Sequence, residues 1–267
     1  MTEVPIATEP RHRRSWLKFV VLTFALAIPF WILGGAIGYQ LLPGLPVAAL
    51  TFVCPGLAAL ILVRREDGSA SVNALLRRAF DYERIKQKGW YAPALLLNPV
   101  IILFSYVVLR LVGTTVPAPH MSIQLALALS VMFFVGALGE ELGWSGFAID
   151  PMQDRWGALR AGLLLGAVWA VFHFVALAQV HRSLEWIAWW SLWTVSARVI
   201  MVWIYNNMGK SVFGVALFHA ASNVSWQTFP IRGSFFDPRV ASVITILVAI
   251  IVTAVWGPRT LSVRPNR

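Results

Sequence analysis

Glu140 and Glu141 stand side by side in GALGEELGWSGFA (136–148), near the end of an apolar run that begins around Ile123. Farther along, His173, Arg198, His219 and Asn223 are each set into an apolar stretch of their own. Ionisable groups are costly in apolar surroundings and tend to mark function where they persist. A carboxylate that takes a proton from water, with imidazole and amide groups to hold the water and the developing oxyanion, is a hydrolytic set. The same Glu140, His173 and His219 are also a three-ligand zinc set with one open coordination position, although their spacing is not the HExxH arrangement. Serine chemistry has less behind it. Ser145, Ser222 and Ser225 lie nearby, but no aspartate shares their layer to orient a histidine. A single histidine in an apolar helix commonly serves packing alone. A paired Glu-Glu, a histidine in the next apolar segment and HxxxN two segments later form a pattern that packing does not require.

Helical facing refines the set. Adjacent residues on a helix diverge by about 100°, so Glu140 and Glu141 are expected to serve different points. Glu140 shares a face with Gly136 and Trp144; the glycine allows close helix approach and the tryptophan would dry the carboxylate and favour its action as a base. His219 and Asn223 are i and i+4, as are Trp169 and His173, so each pair projects to one side.

The elements that hold these groups must cross a membrane. Of 267 residues, 58% are hydrophobic and 13% charged, with a mean hydropathy of +0.70, too little charge to cover a soluble domain of this size. Eight apolar segments can be drawn, at roughly 16–39, 44–63, 90–112, 121–148, 159–179, 184–205, 210–228 and 240–257, each near the ~20 residues a bilayer needs. The predicted fold is therefore all-α, a polytopic membrane protein of about eight transmembrane helices, with the site among the fourth to the seventh. The first run follows RHRRSWLK and is too long for a signal-peptide core, so it is expected as an uncleaved span. No repeat or linker divides the chain, which predicts one domain over 1–267, with a basic N-terminus at 1–15. Segment 64–89 is expected to be an interfacial amphipathic helix, with Leu75, Leu76, Phe80 and Ile85 in helical spacing and its basic residues toward lipid phosphates. Cys54, the single cysteine, lies in an apolar span and reads as a packing residue.

The net charge of +10 gathers in loops on one side: Arg11, Arg13, Arg14 and Lys18 before the first span, seven Lys/Arg between the second and third, then Arg155, Arg160 and Lys210, with further arginines at the C-terminus. Loops 40–43 and 113–120 carry none; Arg182, Arg232 and Arg239 are the exceptions. The positive-inside rule then places both termini in the cytoplasm of a multi-pass cell-membrane protein, and the charge calls for anionic lipid as partner with no nucleic acid. Eighteen arginines to four lysines suit a GC-rich bacterial genome. No sequence feature specifies an oligomeric state.

EELGWSG (140–146), WAVFH (169–173) and YNNMGKSVFGVALFHAASN (205–223) resemble, in order, the motifs of the CPBP family of intramembrane proteases: EExxxR, FxxxH and HxxxN. That family includes the CAAX prenyl protease 2 enzymes and bacterial proteins linked to bacteriocin processing or immunity. The resemblance covers about residues 120–226. It implies an eight-spanning protease with Glu140 as the general base, His173 helping it activate water, and His219 and Asn223 stabilising the oxyanion. Family members are described both as metalloproteases and as metal-free glutamate enzymes, so zinc stays open. The chain departs from the pattern at Ser145, where the family has arginine, and at Trp169, where it has phenylalanine. Glu141 thereby loses a partner one turn away, and Arg198, at similar depth, is expected to supply the missing charge. The reading is an intramembrane endopeptidase opening toward the cytoplasm and acting on a membrane-associated peptide or protein. A prenylated substrate is the less favoured choice within the family, because bacteria generally lack prenylated CAAX proteins. Two other classes use the same residues: a catalytically inactive peptide-binding or immunity protein, and a proton-coupled transporter.

Overall fold

A computed structural model describes residues 15–231 and 236–262. The expected basic N-terminal segment lies, apart from Ser15, outside the described residues, as does Arg232. The Ser15 hydroxyl accepts from the Lys18 N–H to start α1, Trp16–Ile37, and Gly38 at φ 63° ends it. A short antiparallel hairpin, β1 Gln40–Leu42 and β2 Leu45–Pro46, turns at Gly44 and leads through a 3₁₀ stretch, Val47–Phe52, into α2, Val53–Glu66. Then come α3, Ser69–Arg77; α4, Tyr91–Leu111; α5, Ile123–Gly143; a π-helical turn, Trp144–Ala148; and α6, Ile149–Trp156. Helices α7, Ala158–Gln179, α8, Leu184–Asn207, α9, Val212–Thr228, and α10, Pro238–Trp256, complete the bundle. The protein is a polytopic, all-helical membrane protein with one small hairpin.

Among the described residues, seven helical segments are long and apolar enough to cross a bilayer. The eighth expected span, α9, has 17 residues, about 25 Å at ~1.5 Å per residue and short of a ~30 Å hydrocarbon core. It packs against α4, α5 and α8, so protein meets its ends. Small residues set the tightest approaches. A Cβ on Gly56 of α2 would fall 2.5 Å from the Gly139 carbonyl, and one on Gly143 would collide with the Pro55 carbonyl. These two contacts let α5, which carries both glutamates, lie backbone against backbone on α2.

Segment 64–89 departs from expectation. Residues 64–66 end α2 and 69–77 form α3, followed by 3₁₀ turns at Arg78–Phe80, Tyr82–Arg84 and Lys88–Trp90. Leu75 and Ile85 are buried while Leu76 and Phe80 are exposed. Arg78 turns into the protein, where it donates to the carbonyls of Gly146 (2.8 Å) and Lys210 (2.7 Å) and to the Tyr205 hydroxyl (2.8 Å). Chain chemistry explains the first bond. In a π-helical turn the Gly146 carbonyl would pair with residue 151, which is Pro151 and has no N–H. Asp81 meanwhile accepts from the Ser211 hydroxyl (2.7 Å) and the Phe213 N–H (3.1 Å), capping α9. The segment therefore clamps the ends of α5, α8 and α9. Arg78→Gln is expected to lower stability by about 2–3 kcal/mol, since it strands buried acceptors; a thermal melt of the variant in lipid nanodiscs checks it.

Chain direction defines two faces. The start of α1, the α2–α4 connection, the α6–α7 junction, the α8–α9 turn and the end of α10 meet on a basic face. There Trp16 packs edge-on against Trp156 (5.4 Å) and Trp203 against Trp256 (5.1 Å), as interfacial tryptophans do. The hairpin and the connections α4–α5, α7–α8 and α9–α10 meet on the other, where Gln227 donates to the Pro43 carbonyl and the His120 N–H to the Pro230 carbonyl.

Candidate active site

Glu140 sits near the end of α5, at 7% exposure, with its carboxylate aimed by two indoles. Oε2 accepts from Trp144 Nε1, one turn on, at 3.2 Å and from Trp169 Nε1 on α7 at 2.9 Å, which leaves Oε1 free. Behind it, Phe19 of α1 and Phe172 of α7 pack edge-on against Trp144 (5.3 and 5.7 Å), so three helices hold one side of the carboxylate dry.

Glu141 is fully buried and fully partnered. Arg198 of α8 donates to it in a bidentate pair, Nη1 to Oε2 at 2.8 Å and Nη2 to Oε1 at 3.1 Å, and the Ser145 hydroxyl also donates to Oε2. Its Oε1 lies 3.1 Å from His219 Nδ1. The Arg198 guanidinium lies over the Trp169 ring, 4.1 Å from its centroid, a cation–π contact that ties the ion pair to the indole holding Glu140.

The two glutamates do diverge around α5, but they are not independent. His219 lies between them, Nδ1 toward Glu141 and Nε2 4.0 Å from Glu140 Oε1. One imidazole is wide enough to reach both faces, so the pair acts on opposite edges of a single ring. Because a carboxylate can only accept, the Glu141 contact assigns the Nδ1 proton. His173 is set by its own helix: Nδ1 lies 2.8 Å from the Trp169 carbonyl, which assigns a proton there and leaves Nε2 as acceptor.

The carboxylate of Glu140, both histidines and Asn223 line one cavity of about 600 Å³, otherwise mostly apolar. Asn223 has no hydrogen-bond partner among the described residues, so its amide is available to a ligand. Along α5, α7 and α9 the cavity extends mainly toward the hairpin face, and on α8 it runs from Trp190 to Met201: Val131 and Met132 precede Glu140 on α5, Leu177 follows His173, and Trp226 follows His219. Leu41 and Leu42 of the hairpin line the same cavity. The lining therefore lies on the hairpin side of the glutamates, away from the basic face toward which an opening was expected. The 64–89 segment covers that side, with Leu75 against Gly146 and Arg78 spanning Gly146 and Lys210.

The three-ligand zinc set is not assembled: among the described residues no three His, Cys, Asp or Glu side chains form a metal-binding group.

Sequence reasoning missed the second indole on Glu140, the Ser145 hydroxyl and the role of Asp81 and Arg78. Only Ser145 carried a visible signal, being i+4 from Glu141. Trp169→Phe keeps the ring under Arg198 but removes one donor; cleavage is expected to fall less than ~10-fold, because Trp144 remains. Adding Trp144→Phe should cost more than the two single losses combined, read as initial rates in nanodiscs.

Residues 122–225 match a family model described as type II CAAX prenyl endopeptidase Rce1-like. The chain is also 24% identical over 237 residues to the CAAX prenyl protease 2 of Methanococcus maripaludis, an alignment covering 80% of this chain and 84% of that protein. The matched region contains both glutamates, Ser145, both histidines, Arg198 and Asn223, and the resemblance read from the three motifs is borne out. The comparisons support an intramembrane endopeptidase in general terms.

Proposed function

We propose that the protein hydrolyses a peptide bond within a membrane-associated polypeptide, using water activated by Glu140 without a metal. The observation that carries this is the free Glu140 Oε1, aimed by two indoles into an apolar cavity beside His219 Nε2. Water held between Oε1 and His173 Nε2 gives its proton to Glu140 as its oxygen attacks the scissile carbonyl. The resulting oxyanion accepts from the Asn223 amide and from His219 Nε2. With Nδ1 donating to Glu141, Nε2 donates to the oxyanion in the imidazolium form, beside the negative charge of Glu141. Glu140 then returns the proton to the leaving nitrogen. Glu141, Arg198 and Ser145 are positioning residues that act through His219.

The mostly apolar walls favour a substrate whose recognised part is an apolar segment or a lipid-modified side chain; the exposed Val131 and Val135 of α5 leave a lateral route from lipid. Cleavage of a peptide library by the full chain in lipid nanodiscs tests the proposal. The products are expected to form at an unchanged rate with 1,10-phenanthroline present. A rate that the chelator abolishes and zinc restores would replace the glutamate mechanism with a metal one. Plain and isoprenylated versions of one peptide then separate the two substrate types.

A further inference from the structure

Two observations, one of charge and one of shape, bear together on which compartment the site serves. The basic face holds seven Lys/Arg in 64–89 together with Lys18, Arg155, Arg160, Lys210 and Arg259, whereas Arg110, Arg182 and Arg239 are the described Lys/Arg at the hairpin face. Such a bias in short loops sets orientation, with the basic face toward the cytoplasm. Anionic lipid there adds attraction for each cation.

The cavity, however, opens the other way. Its rim at the hairpin face is Leu41, Leu42, Gly44 and Trp226, and a Cβ on Gly44 would lie 3.1 Å from an Arg182 Nη. Its floor is the Glu140–His219–Glu141–Arg198 cluster. Beneath the floor, the 64–89 segment closes the basic side through two buried apolar side chains, Leu75 and Ile85, and through the three Arg78 hydrogen bonds. A polypeptide reaching Glu140 from the basic face would have to break that clamp, while one arriving from the hairpin face or laterally past Val131 meets open apolar space.

We infer that the site is extracytoplasmic: it receives the part of a membrane-anchored or exported polypeptide that lies at or beyond the outer leaflet. The inference rests on the peptidase reading for its substrate class, but not for its geometry. It places the supplying reaction on the far side of the membrane, as the export or outward insertion of that polypeptide.

The test uses the full chain with Cys54→Ala, which removes the one thiol. Two further variants add either Leu41→Cys at the mouth or Lys86→Cys on the basic face; both positions are exposed. Intact cells expressing each are treated with a membrane-impermeant maleimide. Leu41→Cys is expected to label in intact cells, and Lys86→Cys only after permeabilisation. The reverse pattern, or labelling of Lys86→Cys alone in intact cells, overturns the inference. A bulky maleimide is then attached to each purified variant in nanodiscs. Peptide cleavage should be lost from labelled Leu41→Cys and kept by labelled Lys86→Cys; loss only at Lys86→Cys overturns the assigned mouth. If the unlabelled variants and the parent chain all fail to cleave, the peptidase reading fails, and the labelling in cells still decides which face is outside.

Discussion

Glu140→Gln lowers peptide cleavage by roughly 10²–10⁴-fold, the range that a positioned general base contributes, while the protein stays folded. Glutamine matches the size of glutamate, and its amide oxygen can still accept from Trp144 and Trp169, so the helix contacts around it persist. What is lost is the lone pair on Oε1 that receives the water proton. The effect belongs in turnover, because the mostly apolar walls that bind the substrate are untouched, and KM should move little. The check is a turnover and KM comparison in nanodiscs, with a thermal melt to show equal folding. Equal product from wild type and variant would trace the activity to a contaminant. Full biological activity in a cleavage-dead Glu140→Gln strain would favour a peptide-binding or immunity role for the same cavity.

Arg198→Gln is expected to destabilise the protein by about 3–5 kcal/mol, the usual cost of removing one member of a buried ion pair. Arg198 is 1% exposed and Glu141 fully buried, so neither charge has recourse to water. Glu141→Gln should cost a similar amount. The informative measurement is the double variant, in which both charges are gone: its loss should be well below the sum of the two single losses. Additive losses would sink the pairing. Cleavage carries a second readout. Glu141 holds the Nδ1 edge of His219, so turnover should fall in both single variants even where the melt is rescued by lipid or low temperature.

How far the site could be read from the chain depends on what a pattern encodes. A charged residue in a twenty-residue apolar run is expensive, so Glu140, Glu141, His173, Arg198 and His219 stood out without any structure. Depth along each span brought Arg198 level with Glu141, and the 2.8 Å pair lies where that estimate put it. Facing was read less well. The 100° step separates Glu140 from Glu141 around α5, but it carries no information about a third side chain broad enough to touch both. Ser145 was legible as a departure from a family pattern and as the i+4 neighbour of Glu141, to which its hydroxyl donates.

The sequence by itself determined the class of molecule, the approximate spans, the ionisable residues that gather around the cavity and the uneven charge of the two faces. Each of these follows from composition and period, which the solvent and the lipid read one residue at a time. The tertiary structure decided which nitrogen of His219 meets which carboxylate, the clamp formed by Arg78 and Asp81, and the side of the glutamates on which the cavity lies. Those depend on distances between helices. Here they are set by the contacts of Gly56, Gly139 and Gly143, where backbone meets backbone, and by Pro151, whose missing N–H leaves a carbonyl for Arg78. Such a contact joins residues far apart in the chain, so no local pattern announces it.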